Sequence, residues 1–507
     1  MSNNAVRRFI LDPADRSPDR VVLIDGPTGA TTTRAELAEG VRAAAGALAA
    51  LGVRPEQRVA MVMADRPSFV EVFWGAIHLG AVPVPLSTML TPKDYRFLLT
   101  DSRATVCVVS DLFVEQVLPA TENQPFLTSI IVDGTASPAD LVELSTLVGH
   151  EPPPMFPADD EDVAFWLYTS GTTGFPKGAL HRHGDMSFLT EAYARGVLDM
   201  GPQDTLYMVP KLFFAYGLGV NYFALGTGAT HVLFDGRPTV EHVLDHVTRH
   251  RPTLFFAVPT FLAQLLAAGV PSDTFASVRA AVTGGETLPA EIWRRTRDEL
   301  GMVALDSVGS TEVGHIYVAN RPERQQPGSS GWPVEGFDVE LRDEDGQPVP
   351  AGEPGQMFVA GSSVTPGYWR RTDQNRSTFH GRFMATGDTF VGNDDGSFTY
   401  LGRNDDMIKA GGIWVSPAEV EAAIIELPEV VLAAVVGATD ADGLAKPKAF
   451  VMLADGHRPD DDLAARIQDH VRQTLAPYKY PRWVEFVDEL PTTATGKVKR
   501  HLLRDAG

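Results

Sequence analysis

Short apolar runs alternate with amphipathic ones along most of this chain. Val59 to Met63, Thr105 to Val109 and Ser129 to Val132 are brief runs rich in β-branched and other apolar residues, the pattern of buried strands. Thr205 to Val209, Thr230 to Phe234, Thr253 to Ala257 and Arg279 to Thr283 repeat it, with helical segments between them. Thr33 to Leu51 is rich in Ala and closed by Gly52, which predicts a helix with a glycine stop. Strands alternating with helices predict layered α/β subdomains on parallel sheets. From Gly331 the texture changes: Phe337 to Leu341, Gly355 to Ala360 and Ser397 to Tyr400 are short strands separated by turn residues, expected as a small antiparallel barrel over about 331–401.

A second change falls near Gly402 to Asp405. Beyond it the pattern predicts a helix (Pro417 to Leu427), strands at Val430 to Val436 and Lys448 to Met452, and an amphipathic helix (Asp460 to Leu475). That is a small α+β unit. The expected organisation is a large N-terminal domain over 1–401 and a C-terminal domain over 402–507, since 507 residues exceed what one core organises. Glu151 to Pro157, with four prolines, reads as a stiff linker.

Composition narrows the function. A net charge of −22 leaves no basic stripe for nucleic acid, so any phosphate site must be locally basic; the acidity itself reads as solubility. The single cysteine, Cys107, lies inside an apolar strand and forms no internal disulfide, which fits a reducing cytoplasm. Met1 to Arg8 lacks the apolar core of a signal peptide. The most apolar stretch, Phe69 to Leu86, carries Glu71, His78 and two prolines, so no membrane span is expected.

The densest chemistry lies between Tyr168 and Gly178, which read YTSGTTGFPKG. Gly171, Gly174 and Gly178 permit tight turns that bring backbone N–H groups to an anion. Thr169, Ser170, Thr172 and Thr173 add hydroxyl donors, and Lys177 adds a positive charge. It is not a Walker A loop, because Pro176 rather than Gly precedes the Lys and Gly178 rather than Ser or Thr follows it. A surface turn shares part of this composition, but not its density directly after the apolar run Val163 to Leu167.

This segment resembles the phosphate loop of the adenylate-forming superfamily: acyl- and aryl-CoA ligases, peptide-synthetase adenylation domains and luciferases. The resemblance spans roughly residues 20 to 500, with motifs in the family's order. It implies two half-reactions, in which a carboxylate attacks the α-phosphate of ATP to give an acyl-AMP and a thiol then displaces AMP. Joining two anions needs cations, donors and positioning. Gly309 to Glu312 resembles the family's Thr-Glu element, which implies that Thr311 bonds the α-phosphate and Glu312 holds Mg²⁺; alone, Ser-Thr-Glu also fits a helix N-cap box. Asp388, in Ala385 to Asp388, resembles the residue that accepts from ribose hydroxyls, although alone it fits an ordinary turn. The Gly284-Gly285-Glu286 turn and the residues Asp306, Ser307 and Val308 resemble the nucleotide-binding backbone. Many members carry an aromatic residue where this chain has Val308, so the adenine partner here is aliphatic. Gly402 to Gly412 resembles the hinge motif, implying Arg403 on ribose or phosphate, Asp405 as pivot and Gly411-Gly412 lining a thiol channel; a charged interdomain loop fits the same residues. Lys497, in Thr495-Gly496-Lys497, resembles the C-terminal catalytic lysine. A mobile C-terminal lid would then carry Lys497 in for adenylation and away for thioester formation.

Pro210 to Gly219 and Ser310 to Ile316 resemble the benzoate-CoA ligase branch. This implies that Ala215, Tyr216, Gly309, His315 and Ile316 line an aryl pocket; Phe213, Phe214 and Tyr216 also fit ordinary core. Val220-Asn221 and Val313-Gly314 depart from the branch; an altered pocket depth or added polarity is the expected consequence, which leaves open a substituted or heteroaromatic acid. His181 and His183 flank Arg182 but lack a third metal ligand nearby in sequence. The implied function is an ATP-dependent aryl-CoA ligase using ATP, Mg²⁺ and CoA, with no nucleic-acid or membrane partner and with a homodimer possible. The alternatives are an adenylation enzyme loading a carrier protein in trans, and an inactive nucleotide-binding scaffold on the same fold.

Overall fold

A computed structural model describes residues 3–134, 141–147, 149–170, 176–404, 406–410, 413–440, 445–492 and 498–505. The chain divides into two compact units. One comprises Met1–Thr253, Gly309–Ile316 and Gly361–Phe379; the other comprises Leu254–Val308, Tyr317–Ala360 and His380–Gly507.

In the first unit a parallel sheet runs in the order Val82–Pro85, Arg58–Val62, Ala104–Ser110, Ser129–Asp133, Val142–Glu143. Its core joins Ala60, Val62, Val84, Cys107, Val109 and Val132 to Trp166. Val82–Pro85 sits at the edge, where its two prolines cost no ladder hydrogen bond. The apolar stretch from Phe69 to Leu86 is therefore helix Pro67–His78 followed by this edge strand. Among the described residues no helix is long and apolar enough to cross a membrane. Elsewhere in this unit Thr205–Met208, Thr230–Leu233 and Val21–Asp25 are parallel neighbours. An antiparallel hairpin pairs Val163–Ser170 with Pro176–Arg182 and sets Thr169 opposite Lys177. Helix Ala215–Thr227 is predominantly apolar and correspondingly buried; it stops at Gly228, whose φ of 81° is left-handed.

In the second unit Leu254–Ala257, Ala280–Thr283 and Ala304–Gly309 pair in parallel. The expected antiparallel sheet is present: Pro354–Gly361 pairs with Phe383–Gly392, which pairs with Phe398–Arg403. Further on, Ser416 caps helix Pro417–Ile425 by accepting from Glu419 N at 3.1 Å. Val430–Thr439 pairs antiparallel with Ala445–Leu453, and Trp483–Phe486 runs parallel to the latter. Helix Asp461–Thr474 lies between the last two of these strands in the chain. These elements lie within a few residues of the positions that the apolar patterning predicts.

Candidate active site

Strand Pro176–Arg182 carries Lys177 and His181. Successive side chains on a strand alternate, so Lys177, Ala179 and His181 share one face. His181 is fully buried, its ring stacked on Phe165 with centroids 4.8 Å apart. Its Nε2 lies 2.8 Å from the Thr311 carbonyl oxygen. A carbonyl only accepts, so Nε2 carries the proton. Nδ1 faces Asp185 Oδ2 at 3.6 Å. Asp185 is itself buried and accepts from Arg182 N at 2.9 Å and Arg182 Nε at 3.2 Å.

Thr311 and Glu312 form a turn rather than the start of a helix. Gly314 N donates to the Ser310 carbonyl at 3.1 Å, and Val313 N donates to Ser310 Oγ at 3.3 Å. Gly314 has φ +86°, and a Cβ there would lie 3.3 Å from His181 Cε1, so glycine serves both the turn and the close approach of His181. The turn is held from outside as well. Thr365 N donates to the Glu312 carbonyl at 2.8 Å, and Tyr368 OH donates to Glu312 Oε1 at 2.8 Å. The ring of Tyr368 lies under Lys177 Nζ, 4.4 Å from its centroid. Tyr368 reaches this place because Trp369 N donates to the Gly178 carbonyl at 2.8 Å, aligning its segment against the Lys177 strand.

Two of the aryl-pocket candidates, Ala215 and Tyr216, lie in helix Ala215–Thr227. Tyr216, Gly219 and Phe223 fall on one helical face and meet His315. His315 Nε2 donates to the Tyr216 carbonyl at 3.2 Å, and its ring centroid lies 4.6 Å from Phe223 and 5.4 Å from Tyr193. A Cβ on Gly219 would lie 2.1 Å from His315 Cδ2. Burial pushes the His315 pKa down to about 3, so the ring is neutral near pH 7. Asn221, one of the departures from the benzoate branch, projects from another face and lies 3.1 Å from His231 Nδ1. It therefore adds no polarity to the face that meets His315. Ala215 opens this helix, Gly309 ends strand Ala304–Gly309, and Ile316 is buried.

In the second unit the nucleotide candidates follow strands Ala280–Thr283 and Ala304–Gly309. Gly284 and Gly285 turn the chain, and Glu286 accepts from Thr260 N at 3.2 Å and Thr260 Oγ1 at 2.6 Å. Asp306 is buried and accepts from Thr283 Oγ1 at 3.3 Å; burial raises its pKa to about 8. Ser307 Oγ donates to the Thr283 carbonyl, and Val308 is half-buried. Asp388 and Arg403 face each other across paired strands, with Arg403 Nη1 3.4 Å from Asp388 Oδ1.

Gly171, Thr172, Thr173, Gly174, Asp405, Gly411, Gly412 and Lys497 lie outside the described residues, as does the side chain of Ser170. The flanks of Lys497 are placed. Thr492 bridges to Val498, and Arg500 Nη2 lies 2.8 Å from both Glu421 carboxylate oxygens.

Two residues go beyond the sequence reading of the site. His181 follows Lys177 by two strand alternations, a signal that period 2 supplies once the strand is recognised. Tyr368 carries no local signal; only the long-range pairing of its segment with Gly178 brings it to Lys177.

Residues 11–369 match the AMP-binding enzyme family, and residues 419–497 match the AMP-binding enzyme C-terminal domain. A benzoate–CoA ligase from Thauera aromatica is 43% identical over 459 residues, covering 90% of this chain and 87% of the relative. A 4-hydroxybenzoate–CoA/benzoate–CoA ligase from Rhodopseudomonas palustris is 42% identical, covering 93% of this chain and 88% of the relative. The crystal structure of an anthranilate CoA ligase in complex with anthranoyl-AMP superimposes with a TM-score of 0.95 at 36% identity, covering 100% of this chain and 97% of that one.

Proposed function

Since this chain belongs to the AMP-binding enzyme family, we propose that it is an ATP-dependent aryl-CoA ligase acting on benzoate or a substituted aromatic acid through an acyl-adenylate. The observation that carries the reading is the segment Gly309–Ile316. It joins the Thr311-Glu312 turn to the neutral, aromatic-walled His315 within a few residues. One end suits phosphate chemistry and the other suits a flat apolar ring.

In the first half-reaction a carboxylate oxygen of the acid attacks the α-phosphorus of ATP. The bond from that phosphorus to the bridging oxygen breaks, and pyrophosphate leaves. Thr169, Ser170, the loop 171–174 and Lys177 hold the phosphates, and the Thr311 hydroxyl donates to the α-phosphate. Lys497 counters the charge that builds between carboxylate and phosphate. In the second half-reaction the thiol sulfur of CoA attacks the acyl carbon, its proton leaves to solvent, and the bond to AMP breaks. Asp388 accepts from the ribose hydroxyls, Arg403 contacts ribose or phosphate, and the backbone of Gly284-Gly285-Glu286 and Asp306 to Val308 lines the nucleotide. The C-terminal domain over 402–507 turns about a hinge near Asp405, withdrawing Lys497 and bringing Gly411-Gly412 to the thiol path.

Glu312 fits a hard divalent cation: it presents carboxylate oxygens, one of them already oriented by Tyr368. Among the described residues no group of three His, Cys, Asp or Glu could hold a metal by itself. That suits Mg²⁺, which binds through one or two carboxylates and the substrate's own phosphates. Bound there, the ion neutralises phosphate charge. A cytoplasmic location and a homodimer belong to the same reading.

The test is mass-spectrometric detection of acyl-CoA from purified protein with ATP, Mg²⁺, CoA and a panel of acids. The panel holds benzoate, hydroxy- and aminobenzoates, furoate, cyclohexanecarboxylate and medium-chain fatty acids. Turnover of an aryl acid supports the ligase. Acyl-AMP without thioester would move the reading to a carrier-protein loader, and nucleotide binding without pyrophosphate release would move it to a scaffold.

A further inference from the structure

We propose that Tyr368 is a positioning residue that couples the phosphate-binding lysine to the metal-binding glutamate. Its hydroxyl fixes the Glu312 carboxylate while its ring face carries the Lys177 ammonium. The inference rests on the roles given above to Lys177 and Glu312.

One side chain meets both groups. Tyr368 OH is 2.8 Å from Glu312 Oε1, and Lys177 Nζ is 4.4 Å from the ring centroid. Both contacts are of a kind that strengthens when water is excluded, and Tyr368 is only 5% exposed. The residue is itself held firmly. Asn375 Oδ1 accepts from Tyr368 N at 2.8 Å, Asn375 Nδ2 donates to the Tyr368 carbonyl at 3.0 Å, and the next residue pairs with Gly178. The Glu312 backbone is fixed as well, through Thr365 N on its own carbonyl and His181 on the carbonyl before it. With the main chain pinned, the remaining freedom of Glu312 is side-chain rotation, and the Tyr368 hydroxyl restricts it. Holding Oε1 leaves Oε2 as the oxygen that a cation would take. The ring works differently on Lys177. A cation over an aromatic face is attracted to it by the ring's electron-rich face. The contact holds the lysine ammonium over the ring.

This division of labour separates two substitutions. Tyr368→Phe keeps the ring and removes the hydroxyl; Tyr368→Leu removes both. The experiment uses full-length protein whose wild-type form has been shown to make acyl-adenylate, so that failure of the ligase reading is recognised before any variant is made. Calorimetry measures ATP affinity in EDTA and then with Mg²⁺ titrated in, and thermal melts check folding. For Tyr368→Phe the half-saturating Mg²⁺ concentration should rise about tenfold, the scale of a lost hydrogen bond to a charged group, with ATP affinity in EDTA unchanged. For Tyr368→Leu, ATP affinity in EDTA should also fall, by about three- to tenfold. In a Lys177→Ala background that additional loss should vanish.

An unchanged Mg²⁺ requirement in Tyr368→Phe would overturn the proposal. So would a lowered one, which would mark the hydroxyl as a competitor of the metal instead of its guide. A full loss of ATP affinity persisting in the Lys177→Ala background would overturn the ring's part. If Tyr368→Leu does not fold, the Tyr368→Phe comparison still decides the hydroxyl's part and Lys177→Ala alone decides the ring's: unchanged ATP affinity in EDTA would sink it.

Discussion

The two ends of the segment Gly309–Ile316 meet opposite solutions to burying polar groups. At the His315 end a titratable ring is sealed among Tyr193, Tyr216 and Phe223 and made neutral, with a pKa of about 3. At the Glu312 end a carboxylate residue and a lysine stay partly exposed, each resting on the same buried tyrosine. On the proposed function the first is a ring-binding wall, which has to be dry and fixed in shape. The second is then a phosphate-binding wall, which has to exchange its partners when the nucleotide arrives. Catalysis by charge and recognition by shape should therefore fail in different ways when disturbed.

The largest effect should come from removing charge. Lys497→Ala should slow pyrophosphate release with an aryl acid by about 10²–10³-fold, on the scale of a lost oxyanion donor, while thioester formation from supplied acyl-AMP is largely spared. Loss of both half-reactions would mean that the lysine does not withdraw between them. Next comes shape. Gly219→Val should raise KM for the aryl acid by roughly ten- to a hundredfold, because its Cβ would stand 2.1 Å from His315 Cδ2 and force the ring to move. ATP affinity measured calorimetrically should hold. If it falls equally, the two walls are not separable.

A smaller effect concerns stability. Asp306 holds its proton to about pH 8 in the folded protein, against an ordinary value of 3.8. Between those values the folded state binds the extra proton, so this group's contribution to stability is complete below about pH 4. It is lost as pH rises through 8, at no more than about 1.4 kcal/mol per pH unit. Asp306→Asn should flatten that part of the pH–stability curve, measured by urea unfolding; an unchanged slope would place the proton elsewhere. The smallest effect is none. His315 stays neutral from pH 5 upward, so the shape of the pH profile of kcat/KM for the acid should survive His315→Asn even if its level drops. A profile that loses an inflection near neutrality would show that the aromatic wall titrates after all.

Much of this molecule was legible along the chain. Apolar runs gave the strands around Val59, Thr105 and Thr205. The Ala-rich run gave the helix after Thr33, and turn-punctuated short strands gave the antiparallel sheet between Phe337 and Arg403. These signals are local, since a strand or helix declares itself by the period of its side chains. The proposed phosphate loop rests on a local signal of the same kind, since glycines, hydroxyls and a lysine stand adjacent between Tyr168 and Gly178.

What the sequence could not decide is which distant residues hold those motifs in place. His181 on the Thr311 carbonyl and Tyr368 between Lys177 and Glu312 join residues more than fifty positions apart. Asn221 illustrates the converse: it reads as added pocket polarity along the chain, whereas the helix turns it to His231. Sequence by itself determined the elements and the chemical inventory, because both are written in neighbouring residues. Tertiary structure alone decided which side chains share a buried face, because that depends on strand pairing and helix rotation, to which no local period refers.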